Sequence, residues 1–223
     1  MMNPRFKFPP LNKITLGIFI VNGALWLFFI IGSYIFGDWS QSLYLSLALQ
    51  PNAVLEGHVY KLFTYAFLHD LRSPFHLLLN MLLVYFFSSV LLHFRSKMTA
   101  LLWAATAAIV GGVFCLLFWA VGGIFGEQNP MLVVGFSSVA MFMLTLFCLR
   151  HREATILLFF VLPMKAMTLL YIALGIDFLM WISIGGDVAF PAHLGGAATA
   201  FVLYYWESRR LKRRKSKYRV KLV

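Results

Sequence analysis

The residues able to do chemistry are few, and they sit in three apolar stretches. Ser137 closes the run Gly135-Phe136-Ser137 and is followed by Ser138. His193 lies in Ala192-His193-Leu194-Gly195-Gly196, and His76 and Asn80 share the run FHLLLNM. A serine hydroxyl is a weak nucleophile until a base takes its proton, and histidine is the usual base. A developing oxyanion needs donors, which an Asn amide, a His N–H and the free N–H groups at a helix N-terminus can supply. Each signal also has a bland reading. A serine in a membrane helix usually bonds its own backbone, a lone histidine can bridge helices, and glycine-rich helical sequence serves packing.

The elements that must position these residues follow from composition. The chain has 223 residues, of which 61% are hydrophobic and only 12% charged, with 23 Phe and a net charge of +11. A soluble domain is about 45–50% apolar and about 25% charged, so this is a polytopic membrane protein. Disorder is excluded by the hydrophobicity, and a disulfide scaffold by the presence of only two cysteines, Cys115 and Cys148. At about 20 apolar residues per crossing, spans are expected at 14–36, 75–93, 98–120, 133–149, 154–176 and 189–206. The first is too long for a cleavable signal and lacks a small-x-small cleavage site. The fourth is short and begins among Gly135, Ser137 and Ser138.

Charge sets the orientation. With both termini and the 94–97 and 150–153 turns in the cytoplasm, that side holds 16 Lys and Arg against the acids Glu153 and Glu207. The other side holds Lys61 and Arg72 with six acids: Asp38, Glu56, Asp70, Glu127, Asp177 and Asp187. The positive-inside rule selects this arrangement. Lys165 is expected inside the fifth span, snorkelling or lining the bundle. The basic run at 209–221 follows a span directly, so it reads as a topology determinant touching anionic lipid rather than a nucleic-acid arm. The long aromatic loop 37–74 is expected in the outer interface. The organisation is therefore a cytoplasmic segment 1–13, a membrane domain 14–207 and a basic cytoplasmic tail 208–223.

Depth then brings the polar residues together. Ser137 lies 13 residues before Arg150, His193 14 before Glu207 and Asn80 15 before Arg95. At 1.5 Å per residue these are about 20, 21 and 22 Å above the cytoplasmic boundary. No Asp or Glu is expected at that depth in any span, so the pairing predicted is a Ser–His dyad. Ala192, Gly196 and Ala200 form a small-xxx-small row that would bring the sixth span against the fourth.

With these marks the sequence resembles the rhomboid intramembrane serine proteases over roughly residues 14–207. The resemblance rests on Gly135-x-Ser137, His76-x-x-x-Asn80, Ala192-His193-x-x-Gly196 and the loop GHVYKLFTYAFLH at 57–69. It implies an all-α, six-transmembrane-helix bundle with the short fourth helix at its centre. It further implies Ser137 as nucleophile, His193 as base, and His76 and Asn80 with the Ser137 amide as oxyanion hole. Departures from the family pattern are Ser138, Met141, Tyr60-Lys61, Leu92 and Ser96. The activity implied is cleavage of transmembrane protein substrates near the outer face, in a multi-pass protein of a bacterial inner membrane. Membrane lipids are the other partner; no nucleic acid, cofactor or metal is expected. The second outer loop, 177–188 with Gly185-Gly186, would act as a cap. The alternative is a non-proteolytic rhomboid-like binder of transmembrane helices, although such relatives typically lack the Ser or the His.

Other intramembrane proteases fit less well. None of the six His is followed by Glu, so there is no H-E-x-x-H motif. The run Ile184-Gly185-Gly186-Asp187 lacks the first glycine of the aspartyl-protease G-x-G-D motif. A transporter would show paired broken helices and internal symmetry.

Overall fold

The computed structural model describes residues 11–94, 96–124, 131–158, 162–183 and 189–219, the last eight by backbone only. The chain is mostly helical, about 80%. Helix α1 (Lys13–Phe36) starts where Asn12 Oδ1 accepts from the Ile14 and Thr15 amides, both at 3.0 Å, and stops at Gly37. Helix α5 (Pro74–Phe87) has proline in its first turn, where the missing N–H costs nothing. It continues as a 3-10 turn to His93. Helix α6 (Lys97–Ile124) begins where Ser96 Oγ accepts from the Thr99 amide.

Between α1 and α5 the chain forms three short helices, α2 (Asp38–Leu47), α3 (Pro51–Leu55) and α4 (Lys61–Thr64). Helix α7 (Ser137–Arg150) follows, then a hairpin of β1 (Thr155–Leu158) and β2 (Leu162–Lys165), then α8 (Ala166–Ser183) and α9 (Phe190–Arg219). Among the described residues, α1, α5 with its 3-10 extension, α6 and α8 are long and apolar enough to cross a membrane.

Helix α7 is the axis of the core. Twelve of its 14 residues are buried, so an all-round apolar helix is wrapped by the others instead of facing lipid. Long helices around it keep exposed apolar faces: Ile20, Leu27 and Ile31 on α1, Leu102 and Leu117 on α6, Ile176 and Leu179 on α8. At its C-terminal end Arg150 pairs with Glu207 of α9 at 2.8 Å and donates to the Val90 carbonyl at 3.3 Å. Phe94 lies under the guanidinium. Thr15 Oγ1 donates to Ser88 Oγ at 2.7 Å, joining α1 to the end of α5.

Several expectations are corrected here. Residues 154–165 do not begin the fifth span. Within that stretch Thr155–Leu158 and Leu162–Lys165 pair antiparallel as β1 and β2, with Thr155 opposite Lys165. An apolar run reads alike as strand or helix, but Pro163 within it breaks a helix. The helix therefore starts at Ala166, and Lys165 lies outside it, exposed and paired with Glu153 at 2.7 Å. The same shift places Asp177 eleven residues into α8 rather than in an outer loop, so 177–183 is helix. The remainder of the expected cap, 184–188, lies outside the described residues. The fourth helix starts at 137, not 133, because 131–136 is non-helical, bridged to Leu49 at Val133 and turning at Gly135 and Phe136. Cys115 and Cys148 are both free thiols.

The interfacial loop is packed rather than loose. Lys61 is buried, and its Nζ donates to the carbonyls of Leu45 (2.7 Å) and Ala48 (3.1 Å) and to Gln50 Oε1 (3.3 Å). Burial pushes this ammonium below the ordinary lysine range. Thr64 Oγ1 donates to Leu47 and Tyr44 to His69, while Trp26 of α1 donates to Asp70. Leu49 and Val133 exchange both backbone hydrogen bonds, anchoring the loop to the strand-like approach to α7.

Candidate active site

The start of α7 is set by backbone geometry. The Gly135 amide donates to the Tyr65 carbonyl at 3.0 Å, and its φ of +129° is a conformation that favours glycine. A Cβ at Gly135 would lie 2.7 Å from His76 Nε2 and 3.5 Å from Asn80 Nδ2. The α5 pair therefore closes on the backbone just ahead of Ser137, where the leading N–H groups of α7 lack helical partners.

The hydrogen bonds around His76 fix its tautomer. Its Nδ1 accepts from the Asp70 amide at 3.2 Å, so in the neutral ring the proton is on Nε2, facing Gly135. Asn80 is buried, and its Nδ2 meets no acceptor among the described residues. Two donors thus converge on one point without a protein partner. Beside them His69 is sealed, its ring edge-on to His76 at 5.2 Å, with neither nitrogen hydrogen-bonded. Burial, and secondarily the charge of His76, push His69 down to about 3, so it stays neutral.

His193 is brought in by close backbone contact. A Cβ on Gly196 would run into the Ser138 carbonyl oxygen, and one on Gly195 would lie 2.7 Å from the Gly111 Cα of α6. Helices α7 and α9 touch at Ser138–Gly196 and again at Arg150–Glu207. The separations match, 12 residues on α7 (138 to 150) and 11 on α9 (196 to 207), so the two helices run parallel and in register. Ser137 is then level with Gly195, and His193 stands two residues, about 3 Å, nearer the N-terminal end. His193 is also within electrostatic reach of His76. No hydrogen bond joins Ser137 to His193 among the described residues; such contacts often tighten only when substrate binds.

The two serines differ in access. Ser138 is sealed, its Oγ 3.2 Å from the Tyr65 hydroxyl, and a Cβ on Gly111 would press on its Cβ. Ser137 keeps 8% exposure at the helix end. Phe67 and Phe136 pack above, centroids 6.0 Å apart. Met141 is buried in the same core.

The chief correction concerns the base. His193 Nδ1 lies 2.7 Å from Asp177 Oδ2, with side chains 19% and 12% exposed. A carboxylate is present at the depth where none was expected, because α8 begins twelve residues later than the apolar run suggests. The helix-breaking Pro163 was the signal that could have shown it. Phe178 and Trp181 of α8 pack with Phe118 of α6 and Phe190 of α9 beside this pair. No group of three His, Cys, Asp or Glu among the described residues is placed to hold a metal ion.

A family model of the Rhomboid domain matches residues 56–210, from the loop after α3 into α9. The chain belongs to the rhomboid family. Rhomboids form an intramembrane protease superfamily whose members act on transmembrane proteins, and it also includes rhomboid-like non-proteases. With its long apolar helices, this rhomboid is a multi-pass integral membrane protein. Comparison with curated proteins gives no match. Where the resemblance expected Trp-Arg, this rhomboid has Tyr60-Lys61, and Lys61 braces the loop through its three acceptors.

Proposed function

We propose that this rhomboid is an intramembrane serine endopeptidase that cuts transmembrane substrates near the outer membrane face. The observation that carries the reading is the convergence at the start of α7. Ser137 stands there beside α9 with His193, next to His76 Nε2, which faces Gly135, and Asn80 Nδ2, which has no acceptor among the described residues. Ser137 Oγ attacks the scissile carbonyl and its proton passes to His193 Nε2. The oxyanion that forms is held by His76, Asn80 and the Ser137 amide. His193 then protonates the departing amine, and water hydrolyses the acyl-enzyme by the reverse proton path.

The reading includes six membrane helices, with α7 and the first half of α9 as the fourth and sixth, and cytoplasmic termini. The charge count supports this, and so does the Arg150–Glu207 pair, which gathers the ends assigned to the cytoplasm. The reading also takes the organisation as 1–13, 14–207 and 208–223, in a bacterial inner membrane. A fluorophosphonate probe tests the chemistry. Wild type and Ser138→Ala are expected to label, while Ser137→Ala and His193→Ala fail to label. Full labelling of Ser137→Ala would overturn the assignment.

A second reading, a non-cleaving binder of transmembrane helices, is favoured only by the missing Ser137–His193 hydrogen bond. It predicts a correctly folded wild type that captures transmembrane peptides in liposomes but does not label.

A further inference from the structure

Asp177 has no role in the dyad, yet it makes the shortest polar contact of any residue at the site. We propose that Asp177 is a positioning residue that acts through His193, converting the pair into a three-membered relay; this rests on the proteolytic reading above. The argument starts from tautomers. To take the Ser137 proton, His193 must present a lone pair on one ring nitrogen and carry its proton on the other. A carboxylate can only accept, so Asp177 Oδ2 at 2.7 Å from Nδ1 selects the Nδ1–H form and leaves Nε2 free.

When Ser137 attacks, its proton goes to Nε2 and the imidazolium formed faces the Asp177 carboxylate, which stabilises it without taking the proton. The low exposure of both side chains keeps this interaction from being diluted by water. Among the described residues, His76 from α5 also lies within electrostatic reach of this ring, and it supplies no anion. Asp177 is therefore the counter-ion of the relay.

Burial alone does not fix this part of α8, since Ala166 and Leu170 are its buried residues and both lie towards its other end. The aromatic group supplies what burial does not. Phe178 and Trp181 follow Asp177 along α8, and Phe190 lies one turn before His193 on α9. Their centroids are 5.4 Å (Phe178–Phe190) and 5.6 Å (Trp181–Phe190) apart. Edge and tilted aromatic contacts of this kind hold two helices in one register. The carboxylate is thus placed by packing that lies beside the ion pair and is independent of it.

The test uses the full chain in liposomes, with Asp177→Asn, Asp177→Glu and Ser137→Ala beside wild type. The readouts are the maximal rate and half-saturating concentration of fluorophosphonate labelling, the melting temperature, and ¹⁵N spectra of histidine-labelled protein, with His193→Ala assigning the signal. Asp177→Asn can donate to Nδ1 and shift the proton to Nε2, the wrong nitrogen. Its maximal labelling rate is expected to fall about 10⁴-fold, with half-saturation and melting temperature unchanged and the His193 signal moved to the Nε2–H form. Asp177→Glu is expected to recover most of the rate. Asp177→Asn labelling at the wild-type rate beside an inert Ser137→Ala would overturn the inference alone. An inert but folded wild type would overturn the proteolytic reading and the inference together. A fall in rate accompanied by an equal fall in melting temperature, without the tautomer change, would make Asp177 merely structural.

Discussion

Replacing Gly195 by Ala isolates the effect of helix spacing on the site. In a helix interior, Gly to Ala is intrinsically stabilising by about 1 kcal/mol. At Gly195 the new Cβ would lie 2.7 Å from Gly111 Cα, 2.8 Å from the Val110 carbonyl oxygen and 2.9 Å from the Gly111 amide nitrogen. All three are backbone atoms that no rotamer change can move aside. Reaching ordinary contact at 3.4 Å requires α9 to retreat from α6 by about 0.7 Å (3.4 less 2.7). Overpacking of this kind costs about 1–3 kcal/mol, so the net effect is a loss of about 0–2 kcal/mol after the propensity gain. His193, two residues away, moves with the helix. Since about 1 Å of misplacement can cost about 100-fold, labelling by a fluorophosphonate should slow by at least about tenfold. Gly23→Ala on α1 is the control, because nothing lies within 4 Å of its new Cβ. The assay is labelling rate and melting temperature in the same detergent. A Gly195→Ala protein that labels and melts like Gly23→Ala would refute the reasoning.

Three other outcomes are expected. Lys61→Ala leaves the Leu45 and Ala48 carbonyls without their donor and should cost about 2–3 kcal/mol, read as a lower melting temperature and faster proteolysis within 37–74. His69 is held near 3 in the folded protein against about 6.5 when unfolded. The unfolded chain then binds the extra proton between those values, so stability is full above pH 6.5 and falls by up to about 1.4 kcal/mol per unit as pH drops toward 3. His69→Gln should flatten that part of the melting profile. Glu207→Gln breaks the partly exposed pair with Arg150 and should cost about 1 kcal/mol or less, with fluorophosphonate labelling unaltered.

Sequence legibility varied with the physical signal available. The bounds 14–36 and 75–93 coincide with α1 and extended α5 to within a residue, and 98–120 falls inside α6, because long apolar runs end at charges or caps. The common level expected of Ser137, His193 and Asn80 comes from a related signal. Each lies a countable number of residues from a charged boundary, and helices convert count into height. The position of Asp177 was not legible. Apolar residues 154–162 satisfy a hydropathy window whether they cross a membrane or fold into a hairpin, and the hairpin depends on pairing that no local window reads. The partners of Lys61 and the split between Gly195 facing α6 and Gly196 facing α7 were equally hidden. Both depend on which neighbours surround a helix, and periodicity alone does not name them.

The shortness of α7 has a consequence for how the protein sits in different membranes. Fourteen residues make a helix about 21 Å long, well under the roughly 30 Å of a hydrocarbon core. Such a helix facing lipid would have to thin the bilayer or shift to match it. Enclosed by α5, α6 and α9, α7 has no lipid boundary to match. Thickening or thinning of the bilayer acts on the tilt of the outer helices, while the height of Ser137 is measured against protein alone. The missing turns also set Ser137 back from the leading ends of α5 and α9, at a depth built into the chain rather than borrowed from the membrane.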